Sequence, residues 1–273
     1  IRLLSSPLGG GVSLAGQMVD RTTFYDNYRL TYDLSERTQP YAAITHSATD
    51  YESGIALYDN RSIYGTLGFG YLAFTRTFLF GEVYYGQTRN EGNTQSLAEY
   101  PTANFIGSFL GVRGQFTEKL SGSVKAGYQV REYEQGGDST GSPVVDASLS
   151  HRFSEATLMT IAYSRRQDES VQFVRTGYTL DSVSAGLRQS IGADSRLTAL
   201  LQASYQLYQY EQNASFTRER TDSLVSSGLT FTYDVKLWMR VFAGYAFEWL
   251  ESSEAFVVDY TVNRLSLGVE LGY

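Results

Sequence analysis

The amino-acid sequence predicts an all-β fold, a transmembrane antiparallel up-and-down β-barrel, and three observations support this prediction. Apolar and polar residues alternate strictly in many short segments, which is typical of strands with one apolar face. Short turn-like segments recur at intervals of roughly 40 residues, as expected for a repeated hairpin unit. The composition, with 26 Gly, 22 Tyr, 4 Pro and no Cys in 273 residues, favours many short strands over disulfide frameworks or thiolate metal sites.

The alternation is clearest in the last thirteen residues, Thr261 to Tyr273 (TVNRLSLGVELGY). One face of such a strand carries Leu, Val and Tyr side chains, and the other carries Arg264, Glu270, Ser and Gly. The last strand of a bacterial outer-membrane barrel also alternates in this way and ends on an aromatic residue. We therefore expect a closing strand that ends at Tyr273 and is recognised by the barrel-assembly machinery.

The same alternation, bounded by turn residues, predicts about fourteen strands, an even number as in single-chain bacterial barrels. Twelve or sixteen strands remain open, because the first segment is the least clearly defined. The sequence contains no run of eighteen apolar residues, so no membrane-spanning helix is predicted. The predicted strands are Gly10 to Val19, Thr23 to Leu34, Pro40 to Thr49, Arg61 to Ala73, Thr77 to Thr88, Ala103 to Phe116, Leu120 to Tyr133, Val144 to Phe153, Thr157 to Arg166, Tyr178 to Ile191, Arg196 to Tyr210, Thr221 to Tyr233, Leu237 to Leu250 and Tyr260 to Tyr273.

The whole chain, residues 1–273, is expected to form a single barrel domain preceded by an N-terminal extension, Ile1 to Gly9. Short turns are expected on the periplasmic side and longer polar loops, the longest between Thr88 and Thr102, on the extracellular side. The sequence begins without Met and without a basic and apolar leader, so any export signal is expected to have been removed. A soluble sandwich or a lipocalin-like barrel would show the same period of two. The polar, Gly-rich opposite face favours the membrane barrel.

That polar face is predicted to line the lumen, and it carries nine basic and five acidic residues. A cationic lining focuses an attractive field on anions and favours their passage. Alternatively, these charges pair across neighbouring strands and only fill the interior. The predicted lumen-lining residues are Arg29, Arg113, Lys125, Arg131, Arg152, Arg166, Arg188, Arg240, Arg264, Asp33, Glu82, Asp146, Glu248 and Glu270.

Flat aromatic rings and amides also share the polar face, a combination that suits the passage of carbohydrates. The tyrosines of this set are common throughout the chain, so the signal is weak. They are Tyr64, Tyr84, Tyr208 and Tyr210, with Gln129, Gln202 and Gln206 as the amides.

No catalytic, cofactor-binding or metal-binding residues are predicted. Barrel hydrolases need a histidine and a serine on one face of the wall, but His46 and Ser47 are adjacent and so point to opposite faces of a strand. His151 is expected at an interface. The sequence shows no phosphate-cradling glycine loop and no nucleic-acid footprint, and we expect no enzyme activity, no cofactor and no nucleic-acid partner.

Two segments, FYDNYRLTYDLSERTQPYAAITHSATDYES from Phe24 and the closing NRLSLGVELGY from Asn263, resemble the porin-2-type outer-membrane β-barrels. Members of that family are often associated with exopolysaccharide secretion loci. The resemblance implies the outer membrane of a Gram-negative bacterium, with passage of solute or polysaccharide as the role. It supplies no site residues, because the family has no catalytic or ligand motif.

Together these observations predict a porin-like channel for the passive passage of small anionic or carbohydrate solutes. Two alternatives stay open: a barrel component of a polysaccharide secretion complex, and a non-conducting structural or scaffold barrel. The partners expected are outer-membrane lipid, the barrel-assembly machinery, and periplasmic or secretion-complex proteins.

Overall fold

A computed structural model describes residues 21–51, 58–92, 102–134, 139–169, 177–192, 194–210, 219–254 and 259–272. These residues form thirteen antiparallel strands in one sheet, each paired with its neighbours in the sequence. Within the described residues β1 and β13 are the two edges of this sheet. The strands are β1 (Arg21–Thr31), β2 (Thr38–Tyr51), β3 (Tyr58–Phe74), β4 (Thr77–Gly92), β5 (Thr102–Gln115), β6 (Leu120–Tyr133), β7 (Ser139–Arg152), β8 (Thr157–Glu169), β9 (Gly177–Ile191), β10 (Leu197–Tyr210), β11 (Arg220–Lys236), β12 (Met239–Ser252) and β13 (Tyr260–Leu271).

The all-β, up-and-down prediction is confirmed, and the thirteen strands match the second to fourteenth predicted segments. The sixth strand, Leu120–Tyr133, has the predicted bounds. The first predicted strand, Gly10 to Val19, lies outside the described residues, as does Tyr273. The first predicted strand, with it the total of fourteen, and the terminal aromatic signal therefore stay predictions.

Several strands extend further than the sequence suggested at one end of the barrel. β4 continues to Gly92 instead of ending at Thr88, and β8 continues to Glu169 instead of Arg166. Polar side chains link the strands in these extensions, for example Asn60 Nδ2, which donates to Asn90 Oδ1 at 2.7 Å. The hydrogen-bonded ladder continues there although the apolar alternation has ended, so hydropathy alone placed the strand ends too early.

The two ends of the barrel differ in their links. At the end that we call the short-turn end, two-residue links, 75–76 and 237–238, join strands directly. The opposite end has links such as 93–101 and 211–219. Antiparallel strands joined in sequence place every second link at the same end, so each link can be assigned to one of the two ends.

One face of the sheet is concave. Tyr41 on β2 donates its hydroxyl to Glu82 on β4, at 2.8 Å, and Lys125 on β6 reaches the same carboxylate at 2.7 Å. Strands two apart in a flat sheet lie roughly 10 Å from each other, and side chains that converge across this distance lie on the side toward which the wall curves. We call this concave side the inner face and the convex side the outer face.

The outer face is apolar and exposed. Leu265 and Leu267 on β13 are 83% and 85% exposed, and Leu30 and Leu110 are each 76% exposed. A soluble barrel would bury its apolar face on the inside, whereas a membrane barrel presents it to lipid. The soluble alternative is therefore wrong. None of the described residues belongs to a helix long and apolar enough to span a membrane.

Candidate functional site: the inner face of the barrel

Strand register places the predicted lumen-lining residues on one face. Cross-strand partners share a face, and following the pairs from β1 to β13 assigns one parity per strand to the inner face. All predicted residues within the strands have that parity. Asp33, just after β1, accepts a hydrogen bond from Gln39 at 2.7 Å. Whether these residues line a working pore stays a prediction.

Aromatic side chains of the inner face lie opposite glycines of the next strand. Tyr41 pairs with Gly68, and Tyr84 pairs with Gly107. A Cβ atom at either glycine would overlap the facing tyrosine ring, so only glycine leaves room for the ring to lie against the wall. Such pairing protects the bare backbone of the glycine and fixes the ring. Phe80 with Gly111 and Phe242 with Gly268 repeat the arrangement.

Cationic side chains lie over these rings. The Arg29 guanidinium carbon is 3.9 Å from the centroid of the Tyr41 ring, and the Lys125 ammonium is 4.2 Å from that of Phe109. Arg131 lies 4.9 Å from the Phe105 centroid. A cation over an aromatic face is attracted without being neutralised, so the rings position these charges and leave them charged.

The basic residues of the predicted set fall into two groups. Lys125, Arg131, Arg166 and Arg240 contact carboxylates within 4.0 Å, and Arg131 and Arg166 share the single carboxylate of Asp168. The second group has no carboxylate within that distance among the described residues. Its members are Arg29, Arg113, Arg152, Arg188 and Arg264.

These unpaired arginines concentrate toward the short-turn end. Arg29 and Arg113 lie two residues from the ends of β1 and β5, Arg188 lies three from the end of β9, and Arg152 ends β7. Arg264 is further from that end, along β13. The inner face thus has its excess positive charge near one mouth of the barrel.

Among the strand side chains that the structure describes, the sequence analysis missed four charged inner-face residues. Arg220 and Asp168 lie in segments interpreted as loops, and Asp234 lies in a segment interpreted as a turn. Asp222 has the parity of Leu224 within a predicted strand, so its position could have been found from alternation. Three of the four are acidic, so the excess of basic over acidic residues on the inner face is smaller than predicted.

Arg220 and Asp222 form a buried ion pair at the end opposite the short turns. Their side chains are 2% and 0% exposed, and Arg220 Nε donates to Asp222 Oδ1 at 2.9 Å. Ser252 donates to Asp222 at 2.6 Å, and the Arg220 guanidinium lies 4.4 Å from the Tyr210 ring centroid. The several hydrogen bonds satisfy charges that would otherwise be costly to bury.

Beside this ion pair, an apolar cluster fills part of the interior. Tyr208 and Leu250 are fully buried in it, and Tyr260 packs against it. The predicted carbohydrate-binding tyrosines are therefore divided: Tyr208 and Tyr210 belong to this cluster. The cluster consists of Tyr178, Leu180, Tyr208, Tyr210, Leu224 and Leu250.

The other two tyrosines line a cavity of the inner face, between β1 and β8, with a volume of about 460 Å³. The ring centroids of Tyr64 and Tyr84 are 6.5 Å apart, and Tyr84 donates to Gln129 Oε1 at 2.8 Å. Arg29 and Glu82 line the same cavity. It can therefore offer aromatic faces, amides and charge to one solute.

The residues considered for catalysis do not assemble into a site. His46 lies on the outer face, its ring 6.0 Å from that of Phe24, whereas Ser47 has inner-face parity. His151 packs edge-on against Phe153 at 4.6 Å. Among the described residues, no group of three or more His, Asp or Glu side chains could hold a metal ion.

Solved structures with the same fold are outer-membrane proteins. The copper transporter OprC matches with a TM-score of 0.57 and 10% identity, over 93% of this chain and 52% of that chain. The P. aeruginosa protein FpvA, solved with heterologous pyoverdines, matches with a TM-score of 0.60 and 9% identity, over 93% and 43%. The chain thus spans about half the length of these proteins, and the likeness concerns the fold.

The chain shares its barrel fold with these structures, and its exposed apolar outer face suits contact with lipid. Together these features define a β-barrel protein of the bacterial outer membrane. No curated protein matches the chain. The family described as "Putative beta-barrel porin 2" matches residues 80–273, and the chain belongs to that family. The family resemblance seen in the sequence is thereby confirmed, and the short-turn end corresponds to the periplasmic side.

Proposed function

We propose that this protein is a porin-like channel for the passive passage of small solutes, with a preference for anions. The observation that carries the proposal is the set of inner-face arginines without a carboxylate partner in the described part of the chain. A guanidinium stays charged at any physiological pH. In a narrow lumen with low-dielectric walls, such fixed charges raise the local concentration of anions.

Charge pairing accounts for only part of the lining. It explains Lys125, which contacts Glu82, and Arg240, which contacts Asp234 at 2.8 Å. It does not explain Arg113 or Arg188, whose charges have no counterpart within 4.0 Å in the described residues. These two arginines therefore add no ion pair to the stability of the described wall and leave positive charge on the inner face.

Carbohydrate is the second candidate solute, and Tyr64 and Tyr84 with Gln129 support it, because rings and amides of one cavity suit a polyhydroxylated ring. The same residues would suit the exit barrel of a polysaccharide secretion complex. A scaffold role is supported by the apolar cluster that fills the interior between β9 and β13.

Conductance of the refolded protein in a planar bilayer tests these proposals. A salt gradient gives the ratio of anion to cation permeability from the reversal potential. We expect stable openings that favour anions, and a reduced ratio in Arg113→Gln and Arg188→Gln. Arg196→Gln is the matched control, because Arg196 is an exposed turn residue paired with Asp194 at 3.2 Å.

Each alternative has its own outcome. Cation preference in the folded wild-type protein would contradict anion selection. A folded but silent barrel would favour the scaffold, or a secretion component whose opening needs partners. Co-purification of periplasmic proteins with the silent barrel would support the secretion component.

A further inference from the structure

Arg29 and Arg113 converge on one buried tyrosine. Their guanidinium carbons lie 3.9 Å and 5.4 Å from the centroid of the Tyr41 ring, although the two arginines come from β1 and β5. Arg113 also lies 5.1 Å from the Phe80 ring centroid. Since both contact the same ring, the two guanidinium carbons lie at most about 9.3 Å apart.

Tyr41 is itself firmly placed. It is 5% exposed, its ring lies over Gly68, and its hydroxyl donates to Glu82 at 2.8 Å. Glu82 is in turn held by Lys125 at 2.7 Å. The ring is therefore a rigid support, and the carboxylate beneath it is already occupied.

Neither arginine contacts a carboxylate within 4.0 Å in the described chain. Two guanidinium groups held this close repel each other, and the quadrupole of a shared ring compensates only part of that repulsion. Guanidinium groups bind carboxylates and phosphates through paired N–H donors. An oxyanion between the two would relieve the repulsion and accept hydrogen bonds from both.

We infer that Arg29 and Arg113, supported on the ring of Tyr41, form a binding site for an oxyanion, the phosphate or carboxylate group of a solute in the lumen. This inference rests on the proposed channel, because the solute reaches the site through the lumen. It adds a specific step: the anion is bound at one place near the periplasmic mouth. Arg29 lines the cavity that contains Tyr64 and Tyr84, so the remainder of a solute has room beside the site.

Equilibrium binding to the detergent-refolded barrel tests the inference without any need for conductance. Isothermal titration calorimetry at low ionic strength would use inorganic phosphate, glucuronate and, as a neutral control, glucose. We expect saturable binding of one oxyanion per barrel and no binding of glucose. Phosphate binding without glucuronate binding would identify a phosphate site, and the reverse a carboxylate site; both results support the inference.

Substitutions separate this site from the general field of the lumen. Arg29→Gln and Arg113→Gln each remove a charge-assisted pair and should weaken binding by about tenfold or more. Arg29→Lys keeps the charge but loses the paired N–H donors of the guanidinium, so an intermediate loss of affinity is expected. Arg188→Gln is the matched control: it removes an unpaired inner-face arginine away from Tyr41, and we expect less than a twofold change.

Three outcomes would overturn the inference: no saturable binding to the folded wild-type barrel, equal weakening by Arg188→Gln and Arg113→Gln, or binding unaffected by Arg29→Gln. Folding of every variant is checked by heat-dependent mobility on gels. The outcome for the channel is independent. Binding without conductance would reject the channel and keep the site, whereas anion-selective conductance without binding would reject the site and keep the channel.

Discussion

Replacing Glu82 with Gln should raise the anion selectivity of the proposed channel. Glu82 accepts hydrogen bonds from Tyr41 and from Lys125, and its side chain is 12% exposed. Glutamine keeps an oxygen acceptor for the tyrosine hydroxyl but removes the charge that neutralises Lys125. The Lys125 side chain is 25% exposed, so the freed ammonium can reach lumen water and act on passing ions.

The size of the effect follows from Coulomb's law. An anion that passes about 5 Å from the freed ammonium in water gains about 0.8 kcal/mol, which screening at 0.1 M salt reduces to about 0.5 kcal/mol. That energy corresponds to roughly a twofold increase in anion occupancy and an equal decrease for cations. We therefore expect the ratio of anion to cation permeability to increase roughly fivefold at this salt concentration.

Reversal potentials of Glu82→Gln in planar bilayers measure this ratio. Glu132→Gln is the matched control, because Glu132 is an exposed, outer-face residue of the same strand as Lys125. The control should leave selectivity unchanged. An unchanged or lower ratio in folded Glu82→Gln, or an equal increase in the control, would refute the assignment of the Glu82–Lys125 pair to the conducting lumen.

Three further predictions concern stability and asymmetry. Gly68→Ala should lower the free energy of unfolding by about 1–3 kcal/mol because the new methyl group overlaps the ring of Tyr41. The control Gly65→Ala, with open space around its Cβ, should be nearly neutral. Urea unfolding in lipid vesicles compares the two variants, and equal effects would contradict the support of the Tyr41 ring by Gly68. Arg220→Ala should lower the free energy of unfolding by about 3–5 kcal/mol because it leaves the buried Asp222 carboxylate without its cation. The control Arg61→Ala, at an exposed ion pair, should lower it by less than about 1 kcal/mol. Comparable losses in the same assay would contradict a stabilising role for the buried pair. Anion selectivity should be larger when the dilute solution bathes the short-turn end. The Debye length is about 30 Å at 0.01 M salt and about 3 Å at 1 M, so the unpaired arginines at that end are screened least in dilute salt. Reversal potentials of equal magnitude for the two gradient directions would contradict the clustering of unpaired arginines at that mouth.

Alternation was sufficient to predict the two faces of the wall. Successive side chains of a strand point to opposite faces, so a period of two in hydropathy assigns each residue to one face or the other. The bounds of β6, Leu120–Tyr133, agree with this rule because apolar residues alternate along most of its length. The extensions of β4 and β8 could not be predicted, because their outward side chains are polar and leave no period to detect.

Pairing of the lumen charges could not be predicted from register. Asp146 lies directly opposite Lys125 in the β6–β7 ladder, yet Lys125 reaches Glu82 on β4 instead. Curvature of the wall brings strands two apart within range of a long side chain, and this curvature is invisible in a list of strands. Arg220 and Asp168 were missed for a related reason: both lie in polar segments that alternation alone does not separate from loops.

The role of most inner-face arginines follows their position along the barrel, with Arg240, which pairs with Asp234 beside a short turn, as the exception. At the end opposite the short turns, Arg131, Arg166 and Arg220 each contact a carboxylate, and the strands there extend without an apolar alternation. Ion pairs and cross-strand hydrogen bonds hold that part of the wall together. At the short-turn end, Arg29 and Arg113 are supported by aromatic rings and keep their charge. Under the proposed function, stability and anion attraction thus belong to different arginines, so substituting Arg220 should change unfolding and substituting Arg113 should change selectivity.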